Sequence, residues 1–231
     1  MIRIFGSSSV IGPNLPKEAS YASILRKIFP DDQILLFTKT LCTTEILMNH
    51  LNATPTRETR LVNILHFRAD EWLQIDEKQQ SNFSGRICLS AYVEPKMKLF
   101  KLRGVKKLSH FLFKVLAYRA GELRTLVSRE DQLLHYDNFL ETNARKNILN
   151  IVIIDTSIRY ISPLIENIER SRRSIVLKAH LQKYSSLITL DYADLGIGRR
   201  HFQRDRLHLD KVGNQIVADA IMAHIHHELH D

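Results

Sequence analysis

The chain has 231 residues, 44% hydrophobic and 25% charged, the balance of a globular protein large enough to bury a substantial core. Two cysteines, Cys42 and Cys88, are too few for a disulfide framework and are not spaced as a zinc knuckle, and no apolar stretch approaches the roughly 18 residues of a membrane span or the pattern of a cleaved leader. A formal net charge of +8 favours anionic partners without choosing among them, and the composition as a whole fits a reducing, cytoplasmic setting.

In chain order, Ile2 to Phe5 is a short apolar run that stops at Gly6, and a Ser/Gly/Pro loop leads from it to a helical pattern over residues 17–29. Residues 33–38 (QILLFT) read as a second strand, 43–51 as a short helix with Thr43 or Thr44 as its N-cap, and 60–67 (RLVNILHF) as a third strand. Residues 147–154 (NILNIVII) are nearly continuously apolar, as suits a strand covered on both faces. A helix over 163–183, a strand over 187–191 (LITLD) and a closing helix over 211–229 complete the series. Strands alternating with helices predict a three-layer α/β domain around a parallel sheet of about five strands.

Residues 71–146 interrupt this rhythm and read as a mainly helical insertion within one domain spanning 1–231. The segment RICLSAYV is a candidate extra strand, and from residue 96 to 124 nine lysines and arginines face a single acid, Glu122. Apolar residues interleave the cations, so a basic helix face could grip a polyanion or an anionic membrane, or lie solvated on a lid or dimer helix.

Two segments carry candidate chemistry. Gly6-Ser7-Ser8-Ser9-Val10-Ile11-Gly12 puts serines in a glycine-flanked turn at the carboxyl end of a strand, where a hydroxyl can enter the crevice that α/β sheets use for ligands. Chemistry alone does not choose among the three serines. The second segment is Asp205-Arg206-Leu207-His208-Leu209, just ahead of the closing helix. An aspartate three residues before a histidine can orient the imidazole for general-base work. Asp210 is equally suited to capping that helix. The terminal histidines His224, His226, His227 and His230 lack a carboxylate or cysteine partner at clear ligand spacing, so no metal is expected.

This pair of segments resembles the first and last sequence blocks of the SGNH (GDSL-like) hydrolases. On that resemblance the family's glycine and nucleophilic serine fall on Gly6 and Ser8, its later glycine on Gly12, its aspartate and histidine on Asp205 and His208, and its helix glycine on Gly213. It implies an SGNH/flavodoxin-like fold and a Ser8–His208–Asp205 triad with no metal or organic cofactor. The matches are incomplete. Ser7 replaces the usual aspartate, and residues 38–43 lack the oxyanion glycine, leaving backbone donors around Lys39 and Thr40. The Gly-x-Asn-Asp block is replaced by Phe67-Arg68-Ala69-Asp70, so the donor asparagine is missing. Losing one such donor typically costs on the order of 100- to 1,000-fold in rate unless His66, Arg68 or an insertion residue supplies another.

The resemblance therefore implies a serine esterase or acyl-transfer enzyme acting on an O-acyl, for example O-acetyl, ester of a carbohydrate or other polar molecule. Ser8, Lys39, Thr40, Arg68 and Asp70 would line the oxyanion and substrate sites. The rival expectation is a non-catalytic binding module of the same fold, holding an acidic glycan, a membrane or nucleic acid through the basic insertion.

Overall fold

The computed structural model describes residues 1–6, 8–12, 14–29, 34–38, 48–49, 61–66, 74–76, 123–125, 129–144, 148–156, 164–203 and 208–230. Five strands form one parallel sheet: β1 (Ile2–Gly6), β2 (Ile34–Thr38), β3 (Leu61–His66), β6 (Ile148–Ile154) and β7 (Leu187–Asp191), in the order β2-β1-β3-β6-β7. The expected parallel α/β architecture is thus present. Two short strands between β3 and β6, β4 (Gln74–Asp76) and β5 (Leu123–Thr125), pair antiparallel with each other. The rest of residues 71–128, including RICLSAYV and the basic stretch up to residue 122, lies outside the described residues.

The α-helices are α1 (Ser8–Ile11), α2 (Tyr21–Ile28), α3 (Arg129–Ala144), α4 (Leu164–Leu181) and α5 (Lys211–His230), with a short 3-10 turn at Arg199–His201. The alternation of side chains along the strands sorts them onto two faces. Ile2, Ile4, Ile64, Ile151 and Ile153 meet α2 and α5, through Tyr21, Leu25, Val217, Ile221 and Ile225. Phe5, Leu65, Val152 and Ile154 meet Tyr136, Phe139 and Leu140 of α3 and Leu177 and Leu181 of α4 on the opposite face. Helices on both faces explain why the strand sequences are apolar almost throughout.

The exception to that apolarity is a polar row crossing the second face. Arg3, Asn63 and Asn150 sit in register on β1, β3 and β6. The Arg3 Nε donates to Asn63 Oδ1 at 2.8 Å, Asn63 Nδ2 donates to Asn150 Oδ1 at 2.8 Å, and Asn150 Nδ2 donates to the Ile148 carbonyl at 3.2 Å. All three residues are buried, and burial lowers the pKa of the Arg3 guanidinium. A row of this kind penalises strand slippage, because a one-residue shift would turn each polar group to the opposite, apolar face. On the same face, Asp137 of α3 accepts hydrogen bonds from Tyr184, His180 and Lys183, tying α3 to the end of α4 and the turn after it.

Candidate active site

The strand order fixes where a ligand crevice belongs. The chain passes from β1 outward to β2, then returns across β1 to β3, so the winding reverses between β1 and β3. In open α/β sheets ligands bind outside the carboxyl ends of the strands at such a reversal. Ser8 lies two residues beyond the end of β1 and opens α1, a single turn that Gly12 ends with a left-handed φ of 59°. Ser8 is therefore at the carboxyl edge of the sheet, at the switch point. Gly6 is required for this path: a Cβ there would stand 2.3 Å from Val10 Cγ2 and 2.9 Å from His66 Cβ.

His208 lies just ahead of α5, whose first turn meets the start of α2 through Asn214 and Tyr21. The segments on either side of residues 204–207 are joined by an antiparallel bridge between Phe202 and Leu209. The Gln203 N–H donates to the His208 carbonyl at 2.8 Å, Gln203 Nε2 donates to the Leu209 carbonyl at 3.0 Å, and the Asp210 N–H donates to the His201 carbonyl at 2.9 Å. Asp210 caps α5, its Oδ1 accepting the Gly213 N–H at 2.8 Å, so its role is that of a helix cap. Asp205 lies outside the described residues, as do Lys39, Thr40, Arg68 and Asp70.

Gly213 lets the loop pack this closely. A Cβ on it would lie 2.7 Å from the His201 carbonyl oxygen and 2.9 Å from Leu209 Cδ2. Gly213→Ala is expected to destabilise the protein by about 1–3 kcal/mol through this overlap, outweighing the helix preference of alanine, which is worth ~1 kcal/mol. Thermal unfolding should register it as a fall of roughly 2–4 °C per kcal/mol for a chain of this size, and an unchanged Tm would mean that the loop can retreat freely.

Between the two segments runs a buried hydrogen-bonded chain that local sequence patterns do not announce. Ser20 caps α2, its side chain accepting the Ser23 N–H at 3.2 Å, which leaves Tyr21 as the first helical residue. The Tyr21 N–H donates to Asn214 Oδ1 in the first turn of α5 at 3.0 Å. Its hydroxyl meets His66 Nδ1 at 3.1 Å, and His66 Nε2 meets the Tyr192 hydroxyl at 3.1 Å. A neutral imidazole donates through only one nitrogen, so one tyrosine donates to the ring and the other accepts from it. Burial, and to a lesser degree the neighbouring Tyr192, holds the Tyr21 pKa well above the ordinary tyrosine value, so its phenol stays protonated and able to donate.

His66 was one candidate to supply the missing oxyanion donor. It belongs to the set of β3 residues that faces α2 and α5, with Val62 and Ile64, and both ring nitrogens are taken up by tyrosines. The side chain is buried. At the other side of the site, Asp191 ends β7 and is fully buried. It accepts from the Thr156 N–H at 3.0 Å, Thr156 Oγ1 at 2.6 Å, the Ala193 N–H at 3.1 Å and Lys178 Nζ at 2.8 Å, joining the carboxyl ends of β6 and β7 to α4. Among the described residues no group of three or more histidine, cysteine, aspartate or glutamate side chains gathers as a metal site, and no helix is long and apolar enough to cross a membrane.

No family model and no curated protein sequence matches the chain. Solved structures do, over nearly its whole length. A lipolytic protein of the G-D-S-L family from Veillonella parvula has 14% identity, with 96% of each chain covered and a TM-score of 0.54. An acetyl xylan esterase, AlAXEase, has 13% identity over 97% of this chain and 100% of that one, with a TM-score of 0.56. A catalytic mutant of Axe2, an acetylxylan esterase from Geobacillus stearothermophilus, has 10% identity over 96% of this chain and 92% of that one, with a TM-score of 0.54. At such identities the likeness is one of fold, and the chain has the α/β fold of the SGNH hydrolases, as the sequence resemblance implied.

Proposed function

We propose that this chain, built on the fold of the G-D-S-L esterases, is a serine esterase or acyl-transfer enzyme with Ser8 as nucleophile, His208 as general base and Asp205 as the residue that orients the imidazole. The observation that carries this reading is the position of Ser8, opening a helical turn at the carboxyl end of β1 beside the switch point. The moored His208 loop precedes a helix whose N-terminus meets α2 at that same edge.

In the proposed reaction the Ser8 oxygen attacks the ester carbonyl while His208 takes the hydroxyl proton. The tetrahedral oxyanion is met by the Ser8 backbone N–H and by a donor from residues 38–42, with Lys39 and Thr40 the nearest candidates. Collapse expels the alcohol, which receives the proton from His208, and leaves an acyl-serine. Water then releases the acid, or an acceptor hydroxyl takes the acyl group. Arg68 and Asp70, following β3 in sequence, are assigned to the substrate side, where a guanidinium would suit an anionic group. O-Acetyl esters of polar, carbohydrate-like molecules are the first substrates to try, because two of the structures similar in fold are acetyl xylan esterases.

A fluorophosphonate probe tests the reading. One equivalent of label is expected on Ser8 in the native chain, and none on the folded Ser8→Ala variant. A folded native protein that takes no label, yet binds a polyanion with a steep salt dependence, would instead identify a non-catalytic module of this fold working through its basic insertion.

A further inference from the structure

The side chain of Asn214 is fully buried in the first turn of α5, and it bonds to two separate parts of the molecule. On one side, Nδ2 donates to the Leu209 carbonyl at 3.2 Å and to the Asp210 carbonyl at 2.9 Å. With Gln203 bonded to the carbonyls of His208 and Leu209, three successive carbonyls starting at His208 are fixed. On the other side, Oδ1 accepts the Tyr21 N–H, one of the donors that a helix N-terminus leaves without an intrahelical partner. Tyr21 continues the chain through its hydroxyl to His66, whose Cβ lies against Gly6, two residues before Ser8.

An amide is the group this position needs. It must accept on one side and donate twice on the other, and among uncharged side chains of this size only a carboxamide does so from one planar unit. An apolar residue would leave the Tyr21 N–H without this acceptor and take one donor from each of the two carbonyls. Aspartate would keep the acceptor but turn an oxygen toward two carbonyl oxygens.

We propose that Asn214 is a positioning residue for the acyl-transfer reaction: together with Tyr21 it sets the separation between the His208 segment and the Ser8 turn. The proposal rests on the esterase reading above. Proton transfer between a hydroxyl and an imidazole tolerates little displacement, and a shift of about 1 Å costs on the order of 100-fold in rate. A brace between the two segments acts on that distance while touching no substrate, so its loss falls on kcat and leaves KM in place.

The test compares the native chain with Asn214→Ala, Asn214→Asp and Tyr21→Phe, using p-nitrophenyl acetate turnover, the rate of fluorophosphonate labelling and thermal unfolding. Tyr21→Phe removes only a hydroxyl and keeps the ring packing, so it reports even if the Asn214 variants do not fold. Both Asn214 variants are expected to lose roughly 100-fold in kcat and in labelling rate, with KM within about two-fold. Tyr21→Phe is expected to lose about 5- to 10-fold in the same two rates, and its combination with Asn214→Asp to be no slower than Asn214→Asp alone, because both cut one chain. A native protein that takes no label on Ser8 overturns the esterase reading and this inference with it. A labelled native protein whose folded variants keep its kcat, or lose activity only in proportion to the fraction unfolded, overturns the inference alone.

Discussion

His208→Ala is expected to lower kcat for an alkyl acetate by roughly 10,000- to 1,000,000-fold, a loss of about 5–8 kcal/mol of transition-state stabilisation, without unfolding the protein. The fold should survive because the His208 segment is held by its backbone: the His208 carbonyl is bonded to Gln203, and the neighbouring carbonyls are held by Gln203 and Asn214. The imidazole has two duties in the proposed cycle, taking the serine proton and returning it to the departing alcohol. An activated ester separates them, since p-nitrophenolate leaves without a proton. The variant should therefore lose less, by at least ten-fold, on p-nitrophenyl acetate than on ethyl acetate. Steady-state rates on the two esters, with thermal unfolding as control, decide the matter: an equal loss on both would remove His208 from the leaving-group step, and no loss on either would remove it from the mechanism.

Much of this arrangement was legible in the residues, and what was not has a physical pattern. The fifth strand of the sheet, Leu187–Asp191, occupies the span expected for it, because five residues with β-branched centres sit between clear turns. The second helix begins at Tyr21 where the amphipathic pattern suggested residue 17, since the Ser20 side chain captures the Ser23 N–H and fixes the start. The single turn at Ser8–Ile11 was read as loop, being too short to show a helical period. The capping role open to Asp210 in the sequence is met by its bond to the Gly213 N–H. The polar features escaped for a different reason. Arg3, Asn63 and Asn150 each look like an isolated interruption of an apolar strand, and only strand register makes them a row. Tyr21 and Asn214 are 193 positions apart, and no local spacing can pair them. Sequence pattern reports on periodicity and capping within one element, whereas a buried network is a property of how several elements meet. Asp205, Lys39, Thr40, Arg68 and Asp70 lie outside the described residues, so their assignment rests on the resemblance and on their neighbours in the chain.

Asp191 illustrates the same point with a measurable consequence for stability. Burial by itself would raise its pKa, but the hydrogen bonds from Lys178, Thr156 and Ala193 outweigh that cost and hold it below the ordinary carboxylate value. The charged form is thus the one the fold prefers. Asp191→Ala removes, at a fully buried position, the acceptor of four hydrogen bonds, from the Thr156 N–H and hydroxyl, the Ala193 N–H and Lys178, which also bonds to the exposed Asp194. A loss of about 1–3 kcal/mol at neutral pH is expected from removing a carboxylate that accepts these charge-assisted hydrogen bonds. The pH dependence has a definite sign. A carboxylate whose folded pKa is depressed adds stability that is fully present above its unfolded value near 3.9, and gives it up as the pH falls through the lower, folded value. The native protein should therefore lose this contribution progressively below about pH 4, while the alanine variant has none to lose. Urea unfolding of both proteins at pH 7 and at pH 3 measures the difference directly, with the other titrating groups common to the pair. The gap between them should narrow in acid. If it stays constant, the carboxylate charge contributes nothing, and the cost of the substitution comes from packing alone.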